Sequence, residues 1–170
     1  MNLILRELTA NDEIAFFKGL KEWQGEDLSW YSFAYKPGMK YGDMLEILRK
    51  EKAGIDLEPN RVPHTMLYAF VNDEIIGRVS VRHRLNDHLL KRGGHIGYAV
   101  APRFRKNRYA GEMVKQVIPY LRRLSLQKIL ITCSDSNIPS CKIIEKIGGV
   151  LENKITDENG DLTRRYWLEI

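Results

Sequence analysis

The 170 residues carry 44% hydrophobic side chains, 27 Lys and Arg against 22 Asp and Glu, and a net charge of +5. That supply of apolar side chains suits a single domain over residues 1–170 with a substantial core and argues against a second. The start, Met1-Asn2-Leu3-Ile4-Leu5-Arg6-Glu7, meets charge too early for a signal peptide, and no stretch approaches the ~18 apolar residues of a membrane span.

No internal repeat or low-complexity segment occurs. Leu3 and Leu5 suggest a first strand, after which Thr9 caps a helix whose early Asp12 and Glu13 suit the positive end of its dipole. Ile14, Phe17 and Leu20 are expected to face the core. Trp30, Tyr31, Phe33 and Tyr35 lie among turn-formers between Gly25 and Gly38, and a helical pattern through Met44, Leu45 and Leu48 ends near Gly54. A loop from Glu58 to Pro63 leads into a strand from Thr65 to Val71. Asn72-Asp73-Glu74 then turns the chain into a hairpin partner, Ile75 to His83. Gly93-Gly94 precede a strand from His95 to Ala101, whose pairing Pro102 ends because proline lacks a backbone donor. Next come a basic loop, a helix from Tyr109 to Leu124 with Pro119 inside it, and a buried strand from Lys128 to Thr132. A helix from Ile138 to Ile147 closed by Gly148-Gly149 and a hairpin turning at Glu158-Asn159-Gly160 complete the chain. The order β-α-α-β-β-β-α-β-α-β-β is mixed α/β.

Two cysteines, Cys133 in an apolar run and Cys141, read as reduced thiols, which points to the cytoplasm. The positive charge favours a polyanionic partner: nucleic acid, an anionic membrane surface or a phosphate-rich cofactor. Arg103, Arg105, Lys106 and Arg108 crowd into six residues between a strand and a helix. Helix N-termini hold phosphate chains well, because several N–H groups there lack partners and the dipole favours negative charge. A solvated basic loop is the competing reading, so the surroundings decide.

The stretch His95-Ile96-Gly97-Tyr98-Ala99-Val100-Ala101-Pro102-Arg103-Phe104-Arg105-Lys106-Asn107-Arg108-Tyr109-Ala110 resembles the acetyl-CoA-binding motif of the GNAT acyltransferases, Val-x-Pro-x-x-Arg-x-x-Gly-x-Gly/Ala. Val100, Pro102, Arg105 and Ala110 fall on it in register, and Arg108 stands where the family has glycine. A second segment, Asn137-x-x-Ser140-x-x-x-Ile144-Glu145-Lys146-x-Gly148, is similar to the family's Asn-x-x-Ala-x-x-x-Tyr-x-Lys-x-Gly. The phrases Val81-Arg82-His83-Arg84-Leu85-Asn86 and Gly93-Gly94-His95-Ile96-Gly97-Tyr98 resemble a bacterial-type branch labelled only as predicted acetyltransferases. The implied fold is mixed α/β of GNAT type: a central twisted, mostly antiparallel sheet splayed between its fourth and fifth strands and flanked by helices. The implied activity is transfer of an acetyl group from acetyl-CoA to a primary amine of an unidentified acceptor, with no metal.

Carried over by residue, the resemblance implies that backbone groups of Tyr98 and Val100 pair with the pantetheine arm as if it were an added strand. The segment Arg105, Lys106, Asn107, Arg108, Tyr109 and Ala110 would hold the pyrophosphate, and Arg108 would wrap around it from outside. Asn137 would reach the pantetheine from the other side, with Ser140 packed against the cofactor. Lys142 reads as a solvated surface lysine, with a contact to the nucleotide phosphate as the alternative that the resemblance implies.

An amine must lose a proton before attacking a thioester, and histidine is the natural base near neutrality. His95 is the expected base, and His83, on the face of Val79 and Val81, reads as structural. The family's proton-donating tyrosine is replaced by Ile144. Ser140, four residues earlier on the same helix face, is expected to supply or relay that proton. Direct attack without a covalent acyl-enzyme is expected, with both cysteines inert. Two alternatives stand beside this reading: a non-catalytic CoA-binding sensor, suggested by Arg108 and Ile144, and a basic nucleic-acid-binding module, which no further nucleic-acid signature accompanies. Neither the acceptor nor the oligomeric state is fixed, and a homodimer is one form allowed.

Overall fold

Runs rich in Val, Ile, Leu and Thr assemble into one seven-stranded sheet in the computed structural model, which describes residues 2–156 and 160–170. The strands are β1 (Leu3–Arg6), β2 (His64–Val71), β3 (Glu74–Arg82), β4 (Ile96–Val100), β5 (Lys128–Ser134), β6 (Val150–Thr156) and β7 (Leu162–Glu169). They lie in the order β1-β2-β3-β4-β5-β7-β6. Every neighbouring pair is antiparallel except β4 and β5. The turn expected at Glu158-Asn159-Gly160 falls largely outside the described residues.

The helices are α1 (Glu13–Lys21), α2 (Tyr41–Ala53), α3 (Asp87–Lys91), α4 (Tyr109–Arg123) and α5 (Ile138–Lys146). One face of the sheet meets α4 and α5 through Val79, Val81, Ile96, Met113, Val117, Leu121, Ile131 and Ile144. The other carries an aromatic cluster of Phe16, Trp23, Tyr31, Tyr41 and Tyr68 under α1 and α2. Each such side chain, taken fully out of water, contributes about 1.5–3 kcal/mol.

The face expected for α1 is rotated. Phe16 and Gly19 are buried, whereas Ile14 is 85% exposed and Phe17 and Leu20 are only partly covered. Ile14, Ala15, Phe16 and Phe17 are consecutive, so periodicity leaves the phase open. Close packing sets it, since a Cβ on Gly19 would meet the Tyr31 hydroxyl at 2.5 Å. The short helix α3, absent from the expected order, starts where Asn86 Oδ1 accepts the Leu89 N–H at 2.9 Å.

Candidate active site

The site begins where the sheet fails to close. β5 pairs with β7 along its whole length, but β4 meets β5 only at Ile96 and Ile131. His95 fastens the end of that short junction twice. Its N–H donates to the Leu130 carbonyl at 2.8 Å, and its Nδ1 accepts the Leu130 N–H at 2.9 Å. Beyond Ile96 the strands part, and a cavity of about 430 Å³ opens between them. Cys133, Asn137 and Ser140 line it from the α5 side, and Ser29, Trp30, Arg78 and Arg82 from the aromatic side. The cavity therefore reaches both faces of the sheet.

At its α5 side the Tyr98 hydroxyl lies 2.7 Å from Ser140 Oγ, bridging the parted strand and the helix. Burial pushes the phenol of Tyr98 up to about 12, partly offset by the bond to Ser140, so it is a neutral donor at physiological pH. Asn137 caps α5 by accepting the Ser140 N–H at 3.2 Å and also lines the cavity. Ile144 is wholly buried in the core, leaving its position without a proton donor.

The loop ahead of α4 contorts to expose its amides. Lys106 and Arg108 take positive φ, 65° and 63°, and Arg108 is the N-cap of α4. From Lys106 to Gly111 no backbone amide has a backbone partner among the described residues. Such a run of free N–H groups at a helix N-terminus fits a pyrophosphate. The basic cluster around it is split. Arg103 pairs with Glu22 at 2.9 Å, and Arg105 with Glu26 at 2.6 Å while its Nε donates to the Val100 carbonyl at 3.0 Å. Lys106 and Arg108 are exposed and without an ion pair among the described residues. Tyr109 and Ala110 open the helix, both partly buried.

The other sequence-derived candidates lie elsewhere. His95 is buried and does not line the cavity. Burial, with the Arg82 charge adding to it, pulls its imidazole down to about 4. Because Nδ1 accepts from Leu130, the neutral ring carries its proton on Nε2, and this geometry weighs against the base role expected of it. His83 Nε2 lies 2.9 Å from Thr65 Oγ1, away from the cavity lining. The sulfurs of Cys133 and Cys141 are 3.4 Å apart. Burial, with Cys141 beside it, pushes Cys133 up to about 12, an unreactive thiol.

Sequence reasoning did not single out the aromatic-side wall. Arg78 is 1% exposed, and its guanidinium reaches the carbonyls of Trp30 at 2.8 Å, Ser29 at 3.3 Å and Gly97 at 3.4 Å. Arg82 Nη1 donates to the Gly93 carbonyl at 3.0 Å and covers Gly97, where a Cβ would meet that nitrogen at 3.1 Å. The phrase Val81-Arg82-His83 drew notice only as a likeness.

A mixed sheet parted between two parallel strands, with a turn of free amides leading into the next helix, is the architecture of an acyltransferase fold. The family model for the acetyltransferase (GNAT) domain matches residues 2–150, and the chain belongs to that family. Uncharacterized N-acetyltransferase YnaD of Bacillus subtilis (strain 168) is 29% identical over 77 residues, 45% of this chain and 43% of that protein. The matched segment thus spans less than half of that relative's length. Among solved structures, a probable acetyltransferase superposes with TM-score 0.70 at 20% identity, covering 98% of this chain and 92% of its own. The ribosomal-protein-S5-alanine acetyltransferase of Vibrio fischeri superposes with TM-score 0.67 at 14% identity, covering 99% and 93%. At these identities the likeness is one of fold.

Proposed function

We propose that the chain is a single-domain N-acetyltransferase that moves an acetyl group from acetyl-CoA to a primary amine by direct attack. The observation that carries this reading is the pairing of a gap beyond Ile96 with a run of free amides from Lys106 to Gly111. In it, β4 backbone at Tyr98 and Val100 offers hydrogen bonds to the pantetheine, although the Val100 carbonyl already serves Arg105. The pyrophosphate lies on the amides from Lys106 to Ala110, with the Arg108 and Lys106 charges outside it, and Asn137 faces the pantetheine from α5.

The acceptor nitrogen, unprotonated, attacks the thioester carbonyl carbon. A C–N bond forms, the C–S bond breaks, and the sulfur leaves with the electron pair. Ser140 donates a proton to that thiolate and regains one from the Tyr98 hydroxyl, its partner at 2.7 Å, and water in the cavity returns a proton to the Tyr98 phenolate. The proton released by the amine passes to water in the cavity. No described lining residue is a histidine, and the Asp27 carboxylate there is held below its usual range by hydrogen bonds from Ser29. The rate at limiting acceptor is therefore expected to rise with pH until the acceptor's own pKa is passed.

The test is twofold: a thermal shift with CoA, and acetyl-CoA-dependent release of free thiol on adding pooled amines. No shift at millimolar CoA overturns the reading. A shift without thiol release from any amine leaves the sensor alternative in its place.

A further inference from the structure

Two arginines sit in the aromatic-side wall of the cavity without a carboxylate. Arg78 and Arg82 form no ion pair among the described residues, and all their recorded partners are backbone carbonyls: Trp30, Ser29 and Gly97 for Arg78, Gly93 for Arg82. The exposed arginines nearby are treated differently, since Arg103 and Arg105 each hold a glutamate. Burying a guanidinium without a counter-charge is costly, and carbonyl dipoles offset only part of that cost. Burial pulls both arginines down to about 10, and the charge of Arg82 adds to the effect on Arg78, as expected of two cations sharing one wall.

Their placement gives the pair a target. Both guanidiniums converge on Gly97, the residue just past the last β4–β5 pair, on the face opposite Tyr98 and Ser140. The rings of Trp30 and Phe33 lie beside Arg78, with its guanidinium carbon 5.6 and 4.5 Å from their centroids. Those rings place apolar surface beside the guanidinium, where a charge pairing is stronger than in open water. Asp27 is the one carboxylate among the described residues lining the cavity, and both its oxygens are engaged by Ser29.

We infer that Arg78 and Arg82 form an oxyanion subsite, so the acceptor is an amine whose own molecule carries a carboxylate or a phosphate. Free amino acids and aminoalkyl phosphates fit that description. Polyamines and peptide N-termini do not: the first adds positive charge to an uncompensated pair, and the second replaces the nearby carboxylate with a neutral amide. The inference rests on the acetyl-transfer reading above and narrows its acceptor.

Acceptor use is measured by thiol release at saturating acetyl-CoA, with rates referred to the unprotonated amine. L-alanine and L-phenylalanine are each compared with the α-carboxamide, O-phosphoethanolamine with ethanolamine, and spermidine is run alongside. At least one oxyanion-bearing member is expected to exceed its neutral partner in kcat/KM by roughly 10- to 100-fold, the range of one charge-assisted hydrogen bond. The amino-acid and phosphate arms separate the two sources. Arg82→Gln is expected to collapse that ratio through KM; the wild-type ratios stand without it if the variant fails to fold. Equal use of charged and neutral partners, or spermidine as the best acceptor, overturns the inference. If no amine releases thiol, the same compounds are compared as stabilisers of the CoA-bound protein. Stabilisation by the oxyanion-bearing members alone then upholds the subsite while the transfer reading fails, and equal or no stabilisation overturns it.

Discussion

Arg108 occupies the motif position where the family has glycine, and its φ of 63° shows why glycine suits that position. The left-handed turn survives with an arginine in it, at a strain of about 1–2 kcal/mol. Arg108→Gly is therefore expected to leave Tm unchanged or slightly raised, because relieved strain offsets the greater freedom of the unfolded chain. Loosening of the helix start, which propensity alone would suggest, does not apply to a left-handed cap. CoA binding at fixed salt is expected to weaken by roughly 10-fold or more through loss of one charge-assisted contact. Tighter binding by the glycine variant in a titration would show that the guanidinium is no phosphate ligand. Ser140 poses a second question at this scale. Tyr98→Phe removes the hydroxyl proposed to re-supply its proton while leaving the ring in the core, so kcat is expected to fall by about 10²-fold, with CoA affinity little changed. The sequence marked Tyr98 for its backbone alone. Its hydroxyl was not legible there, since its partner Ser140 is 42 residues away and meets it only across the parted sheet.

Among the elements, the junction of β4 with β5 depends most on one residue. His95→Ala would leave the buried Leu130 N–H without a partner, at a cost of about 1–3 kcal/mol. Its imidazole is held near 4 against an ordinary 6.5, so between these values the unfolded chain binds more protons than the folded one. The contribution is full above about 6.5 and is lost as the pH falls towards 4, a change on the order of 2 kcal/mol. Melting curves across that window are expected to fall less steeply for His95→Ala than for wild type. An equal slope would show that the ring titrates freely. The strands and the long helices were legible because period-2 and helical apolar patterns, Gly54 and the Asn-Asp turn are local signals. Two things were not legible. The phase of α1 is decided by Gly19 meeting Tyr31, and the basic wall by Trp30 and Ser29, which lie in a single 3-10 turn and present carbonyls to a strand 48 residues on. Such contacts leave no periodicity.

For the whole molecule, the turn ahead of α4, the proposed phosphate site, exists only in the folded chain, so CoA is expected to stabilise it. At about 100 times its dissociation constant the gain is ~2.7 kcal/mol, a rise of roughly 5–10 °C for a chain of this size. Differential scanning fluorimetry with and without CoA reads it directly. The cysteines make a separate point at this scale: with Cys133 pushed up to about 12, the one thiol among the described residues lining the cavity is neutral near pH 7, which favours the proposed direct attack over an acyl-enzyme.

A cavity that reaches both faces of a sheet has, on the proposed reading, two doors. The donor would enter from the α4–α5 side and the acceptor from the aromatic side, so neither would have to leave before the other arrives. Initial-rate lines at several fixed acceptor concentrations should then intersect in a double-reciprocal plot. Parallel lines would mean that the acetyl group waits on the protein, and the second door would lose its purpose.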